Sequence, residues 1–215
     1  PLYSSLSVGN LMDITTPASL ELLRTVIPTY LCPSDSNRNP SQNTAAAIRI
    51  RNLPATPVPI GSSNYIAVSG ASDINCFFGE REGMFFVNSN IRIRDLIDGT
   101  TNTWMVFERD TNLMPPRPGV AIEQHMGANW AGTSAPNCFD PNYDMYKVLG
   151  YVVPLYGEIN GSPTRIDRRE AASQHVGGIQ VALADGSVRF VSENINLSLA
   201  QSLCRRKDGV VPGEW

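Results

Sequence analysis

The residues best suited to chemistry include a histidine and an aspartate in one short motif near the C-terminus. His175 is followed after nine residues by Asp185-Gly186. A histidine and a carboxylate close together could transfer a proton or bind a metal. If residues 179–184 form one strand, however, the two side chains lie at its opposite ends, about 20–30 Å apart at about 3.3 Å per residue. The sequence therefore favours structural roles, with Asp185-Gly186 in a turn and His175 as a hydrogen-bonded anchor before the bend at Gly177-Gly178.

Cysteines are the second set of residues that could do chemistry. They are separated by 44, 62 and 66 residues, so the closely spaced cysteine pairs of zinc and redox motifs are absent. An even number of scattered cysteines favours disulfides formed in an oxidising compartment, and buried free thiols are the alternative. We expect disulfides, with the pairing open, among Cys32, Cys76, Cys138 and Cys204.

Enzyme signatures are otherwise absent from the sequence. It has no G-x-S-x-G elbow, no P-loop and no dinucleotide fingerprint. Nucleophilic catalysis by a cysteine beside His125 or His175, the two histidines, stays open on sequence grounds. We predict that the protein is not an enzyme.

Composition excludes two further classes. The net charge is −3 and charged residues make up 17% of the chain, so the basic surface of a nucleic-acid-binding protein is missing. No stretch approaches the roughly 20 apolar residues that cross a bilayer. The chain contains 17 glycines and 16 prolines. This number of turn-forming residues predicts a globular protein with many turns.

An acidic stretch places oxygen-bearing side chains at alternate positions, as at the start of a calcium-binding loop. These are Asp140, Asn142 and Asp144. Met145 stands where an EF-hand needs glycine and Tyr151 where it needs glutamate, so an EF-hand is excluded. A looser calcium site stays open beside the simpler interpretation of Asx turns. No other cofactor is expected.

Residues 115–163 lack any sustained periodicity, which predicts an ordered loop excursion with a functional or assembly role. Six of the 17 aromatic residues of the chain fall within one 27-residue part of this excursion, residues 130–156. Tyrosine and tryptophan among few charges are typical of a contact surface for another subunit or a glycan, and pinning of the loop to the sheet is the alternative. The candidate contact residues are Trp130, Phe139, Tyr143, Tyr146, Tyr151 and Tyr156.

The elements that must position these residues are short. Periodicity predicts helices over 18–26 and 197–203 and strands over 64–69 and 103–108. Residues 178–192 predict a hairpin with a type I′ turn at Asp185-Gly186. In the predicted register Leu183 faces Val188 and Val181 faces Phe190, and all four lie on one face with Ile179. We expect one α+β domain spanning residues 1–215.

Four stretches of the sequence, in order, resemble a large family expanded in planctomycete bacteria. The segment from Ser173 to Phe190 resembles its H-x9-D-G motif, although Val176 stands where proline is usual and Gln180 where asparagine is frequent. The three earlier stretches are Leu31–Asp35, Ser63–Tyr65 and Ile93–Thr103, the last continuing to Glu108-Arg109.

Members of that family begin with a prepilin-type cleavage and methylation segment and a hydrophobic helix, which this sequence lacks. The chain begins with Pro1, without an initiator Met or a signal peptide, and we expect it to be part of a longer product. The resemblance implies the globular head of a protein similar to type IV pilins or type II secretion pseudopilins. Such a head has an antiparallel sheet, long irregular loops and a C-terminal hairpin, and some pseudopilins use calcium to order their loops.

The resemblance also implies a function. We expect a non-catalytic structural subunit, exported to the cell surface, the extracellular space or the periplasm. It would assemble with copies of itself or other pilin-like subunits into a filament, lattice or secretion-related complex, touching the membrane only through the missing helix. The alternative is a surface protein that binds a carbohydrate or another small solute.

Overall fold

Two short α-helices begin at capping residues that the sequence supplies. Helix α1 is Pro17–Leu23 and helix α2 is Leu197–Leu203. The Thr16 hydroxyl accepts the Ser19 amide at 3.2 Å, and the Asn196 side chain caps α2 in the same way, so both helices begin with a satisfied amide donor. Both predicted helices are confirmed, although α1 ends before Val26.

The computed structural model confirms the predicted α+β class, with two helices and mainly antiparallel sheets among the residues it describes. The described residues are 16–35, 59–72, 80–86, 89–110, 121–122, 128–131, 149–150, 159–160, 165–166, 171–210, 212–213 and 215. Within these ranges no helix is long and apolar enough to cross a membrane.

The strands within the described ranges are short and form one larger sheet and two small pairs. They are β1 Ser62–Ser63, β2 Tyr65–Val68, β3 Trp104–Glu108, β4 Ala121–Ile122, β5 Ala128–Asn129, β6 Leu149–Gly150, β7 Arg165–Ile166, β8 Gly178–Leu183 and β9 Val188–Ser192. The larger sheet has the order β6-β2-β3-β8-β9, antiparallel except between β2 and β6. Strand β1 pairs with β5 antiparallel, and β4 pairs with β7 parallel.

The C-terminal hairpin forms as predicted, but its turn and register differ from the prediction. Of the two predicted turn residues, Gly186 has a positive φ, of 86°, and Asp185 does not, so the turn is not type I′. The Gly186 amide donates to the Leu183 carbonyl at 2.9 Å and the Leu183 amide to the Ser187 carbonyl at 2.8 Å. These bonds enclose a three-residue loop with glycine in the left-handed position, which is a common hairpin connection.

The register of β9 is consequently shifted by one residue, which reverses its faces. Ala182 faces Val188, and Gln180 faces Phe190. Val188 and Phe190 are therefore exposed, and the prediction that they share a face with Ile179 is wrong. Val191 occupies the buried face of β9 instead.

Helix α2 and the sheet enclose the main core. The buried side chains include Ile66 and Val68 from β2, Phe107 from β3, and the alternating apolar residues of β8. A register irregularity between Trp104 and Val106 accompanies the burial of both Trp104 and Phe107, three residues apart in β3. Burial of this surface supplies the main stabilising free energy of the described fold.

A buried arginine attaches the C-terminal segment to the loop at 80–86. The Arg206 guanidinium donates to the carbonyls of Arg81 and Gly83 and contacts the Glu80 carboxylate. Buried Asp98 accepts the amides of Asp208 and Gly209 at 2.8 and 2.9 Å, respectively. These bonds satisfy buried polar groups, which is the ordinary requirement of a folded interior.

Candidate functional site

Three side chains with metal-binding or catalytic chemistry meet at one end of the larger sheet. The Cys32 Sγ lies 3.5 Å from the His175 Nε2, and the same nitrogen lies 3.3 Å from the Glu108 Oε1. The three donor atoms lie within 4.8 Å of one another. Sulfur, nitrogen and oxygen donors from distant parts of the sequence therefore converge on one point.

Cys32 is positioned by an asparagine that bridges two segments. The Asn64 Oδ1 accepts the Cys32 amide at 2.8 Å, while its amide nitrogen donates to the Asp35 carboxylate and to the Arg109 carbonyl. The Arg109 amide also donates to the Asn64 carbonyl at 2.7 Å. Because Asn64 uses side chain and backbone together, the loop at 31–35 is held against the end of β3.

Glu108 is the last residue of β3, and its side chain is only 3% exposed. Its second oxygen, Oε2, accepts a hydrogen bond from the backbone amide of Gln180 in β8 at 2.7 Å. This bond orients the other oxygen towards His175. Tyr65 lies opposite Glu108 in β2. Burial raises the pKa of the Tyr65 phenol, and the charges of Cys32 and Glu108 add to the rise.

His175 lies three residues before β8, in a turn held by Ser173. The Ser173 hydroxyl accepts the His175 amide at 3.0 Å and donates to the Gly178 carbonyl at 2.7 Å. Gly178 packs so closely that an added Cβ would lie 2.0 Å from the Val191 carbonyl oxygen. Ser173 thus holds the backbone on either side of the bend, while the role of His175 as an anchor stays a prediction.

The contacts at His175 differ from those of a catalytic triad. In a triad the two nitrogens of the imidazole contact different partners, the nucleophile and the orienting carboxylate. Here Cys32 and Glu108 both approach Nε2. Convergence of three donors on one point is the arrangement that metal ligands adopt.

A cavity of about 10 Å³ adjoins this cluster and is lined by Cys32, Glu108 and neighbouring residues of the 109–110 and 172–174 segments. That volume is close to the smallest that holds one water molecule. The cavity therefore suits a single small group beside the donor atoms and is far too small for a sugar.

Asp185, the other half of the motif, lies at the far end of β8 from His175. It is exposed, and its carboxylate accepts the Ser187 amide at 2.8 Å and the Ser187 hydroxyl at 2.7 Å. These hydrogen bonds hold the pKa of Asp185 below its ordinary value of 3.8. The motif thus does not bring its histidine and aspartate together.

The expectation of disulfides needs a correction for two of the cysteines. Cys32 and Cys204, the cysteines within the described residues, are both buried free thiols. Cys32 faces His175, whereas Cys204 lies in the core with Leu203, and burial raises the pKa of its thiol. Cys76 and Cys138 lie outside the described residues.

Among the predicted contact residues, the structure describes Trp130. Its indole nitrogen donates to the Thr25 carbonyl at 2.9 Å, so this ring is attached to the segment after α1. His125 lies outside the described residues, as do the predicted calcium ligands Asp140, Asn142 and Asp144. The remaining contact residues also lie outside them, and these are Phe139, Tyr143, Tyr146, Tyr151 and Tyr156.

Sequence reasoning missed Cys32 and Glu108 as partners of His175. A signal existed, because Cys32, Asn64, Glu108 and His175 each lie in or directly after one of the four stretches that carry the family resemblance. The structure brings these four stretches together at one site. Spacing along the chain does not indicate this, since 76 residues separate Cys32 from Glu108 and 67 separate Glu108 from His175.

Comparison with known proteins places the chain in a family. Residues 4–198 match the family SBP_bac_10, described as a protein of unknown function (DUF1559). Because the match spans most of the chain, the protein belongs to this family. No curated protein and no solved structure matches the chain significantly.

Proposed function

We propose that the protein is a non-catalytic structural subunit of the cell surface or periplasm that assembles through this globular head. The observation that carries the proposal is an exposed apolar surface on the hairpin. Val188 and Phe190 are 63% and 51% exposed, and Val176, just before β8, is 99% exposed. We call these three residues the hairpin patch.

The position of the hairpin patch suits protein association. Among the described strands, β9 is at the edge of the larger sheet. Edge strands offer backbone donors and acceptors to another chain, and proteins usually protect them with charge or a bulge. Strand β9 has one charged side chain, Arg189, whereas Val188 and Phe190 on its outer face are apolar and exposed, which is typical of an interaction site.

We infer that the partner is another copy of the chain or a closely similar subunit. Gln180 and Ala182 lie opposite Phe190 and Val188, so this face of the hairpin carries no ionised side chain at these four positions. An uncharged, apolar face requires a partner surface of the same character. A second hairpin patch meets that requirement, and the resemblance to pilin-like heads agrees with such assembly.

The alternative of a solute-binding surface protein has less support. A small-molecule site usually has several hundred cubic ångströms of concave volume, about 300–1,000 Å³. The cavity lined by Cys32 and Glu108 has a volume of about 10 Å³. This cavity does not suit a carbohydrate.

The test is the concentration dependence of assembly for the purified chain, measured by light scattering and electron microscopy. We expect the Val188→Asp/Phe190→Asp variant to associate at least about 30-fold more weakly, as expected when interface hot spots are removed. Ile93→Asp is the matched control, because Ile93 is 75% exposed but lies in a one-turn helix at 93–95. Wild-type protein that stays monomeric at all concentrations would overturn the proposal, as would equal association of the hairpin variant and wild type.

A further inference from the structure

We propose that Cys32, Glu108 and His175 bind one zinc ion, with a fourth coordination position open to a water molecule or another small ligand. We call these residues the zinc cluster. The proposal concerns a site separate from the hairpin patch and does not depend on assembly.

The distances between donor atoms fit tetrahedral zinc. With usual bond lengths to sulfur, nitrogen and oxygen, tetrahedral angles place S and N about 3.6 Å apart and N and O about 3.3 Å apart. The Cys32–His175 and His175–Glu108 distances are 3.5 and 3.3 Å, respectively. Two of the three donor–donor distances therefore match tetrahedral zinc, and all three donor atoms lie within 4.8 Å of one another.

Charge balance supports a divalent cation. The Cys32 thiolate and the Glu108 carboxylate would carry two negative charges, and a neutral imidazole would complete the set. Zinc neutralises both charges in a site where Glu108 is nearly fully buried. On binding, the Cys32 S–H bond breaks, an S–Zn bond forms, and the proton passes to the solvent.

The chemical types of the donors favour zinc over harder cations. Calcium and magnesium prefer oxygen donors alone, whereas thiolate and imidazole together suit zinc. Three protein ligands with one open position are typical of zinc sites that bind an additional small ligand. The adjoining cavity lies on the side of Cys32 and Glu108 and is large enough for such a ligand.

Surrounding hydrogen bonds hold each ligand before metal arrives. The backbone amide of Gln180 holds the carboxylate of Glu108. The side chain of Asn64 holds the backbone of Cys32, and the hydroxyl of Ser173 holds the backbone of His175. Such outer contacts orient metal ligands and strengthen binding. Here they also reduce the reorganisation that binding requires.

The competing interpretation is a metal-free hydrogen-bonded group of thiol, imidazole and carboxylate. Zinc titration of the chelator-treated full chain distinguishes the two, with bound metal measured by mass spectrometry and affinity by competition with a chromophoric chelator. We expect one zinc per chain at this site and a rise in thermal stability on binding. Cobalt added in place of zinc should give a thiolate-to-cobalt charge-transfer band in the near ultraviolet.

The variants Cys32→Ser, Glu108→Gln and His175→Gln should each weaken zinc binding about 100-fold or more, since loss of even an outer-shell partner costs about 10–100-fold. Matched controls are Cys204→Ala, which removes a buried thiol elsewhere, and His125→Gln, which removes the other histidine. Both controls should retain wild-type affinity. Far-ultraviolet circular dichroism checks that each variant is folded.

Three results would overturn the proposal. The first is no stoichiometric zinc binding by the wild-type chain, and the second is a cobalt complex without the thiolate band. The third is unchanged zinc affinity in folded variants of all three ligands. Absence of the thiolate band in the wild-type cobalt complex would overturn the proposal even if a ligand variant does not fold.

Discussion

The two ends of strand β8 hold the two halves of one sequence motif, yet their environments are opposite. At the start of β8, His175 contacts Cys32 and Glu108, residues 143 and 67 positions away in the sequence. At its end, Asp185 bonds to Ser187, two positions away, and is exposed. The first end is a tertiary site, and the second is a local turn.

This difference shows that a short motif need not form one functional unit. The nine residues between His175 and Asp185 include all of β8, and an extended strand keeps its ends apart. The motif therefore contributes a ligand-like side chain at one end and a stable reversal of the chain at the other. Substitutions at the two ends should have different consequences.

The largest effect is expected at the start of β8, from Gly178→Ala. The added methyl group would lie 2.0 Å from the Val191 carbonyl oxygen, so β8 and β9 must move apart. We expect a loss of about 2 kcal/mol in the free energy of unfolding, as is typical of overpacking, together with weaker zinc binding because His175 moves. Urea denaturation and zinc titration measure the two effects.

Gly213→Ala is the control for that substitution, since an added Cβ there meets no atom of the described residues within 4 Å. It should leave stability and zinc affinity close to wild type. If Gly178→Ala were as stable as this control, the close packing at the start of β8 would not constrain the site.

A smaller effect is expected at the other end, from Gly186→Ala. Gly186 has a φ of 86°, and a left-handed conformation costs a residue with a Cβ about 1–2 kcal/mol. We expect a loss of about 1 kcal/mol in stability with zinc affinity unchanged, because the turn lies one strand length from the zinc cluster. A parallel fall in zinc affinity would contradict the separation of the two ends.

The smallest effect concerns the pKa of Asp185. Hydrogen bonds from Ser187, aided by the charge of Arg189, lower this pKa below 3.8. The stabilising contribution is therefore present above pH 3.8 and is lost as the pH falls through the folded-state value. Ser187→Ala should raise the pKa of Asp185 towards 3.8, as measured by carbon NMR of the carboxyl group during acid titration.

Ser192→Ala, at the end of β9 far from Ser187, is the control for that titration. It should leave the pKa of Asp185 unchanged. An equal shift in both variants would indicate a general change in the hairpin instead of the loss of one hydrogen bond.

Much of the local structure could be predicted from the sequence. Apolar spacing identified both helices, and apolar runs identified β2, β3 and the hairpin. The hairpin register was predicted one residue out of place, because Asp-Gly is compatible with two turn geometries and sequence does not choose between them. That single residue decided whether Val188 and Phe190 face the core or the solvent.

The candidate site could be predicted only in part. His175 was singled out and its separation from Asp185 was foreseen. Cys32 was expected in a disulfide, with a buried free thiol as the alternative, and Glu108 was named only within a stretch of the family resemblance. The absence of closely spaced cysteines argued against a zinc site, yet metal ligands need proximity in space and not in sequence. Strand pairing between β3 and β8 supplies that proximity.

The sequence by itself determined the elements whose causes are local. Side-chain caps, apolar periodicity and a glycine with positive φ act within a few residues, so their effects can be read along the chain. Tertiary structure alone decided which distant residues meet. The convergence of Cys32, Glu108 and His175 depends on a sheet order and on the bridging bonds of Asn64, and these form only when separate segments pack together.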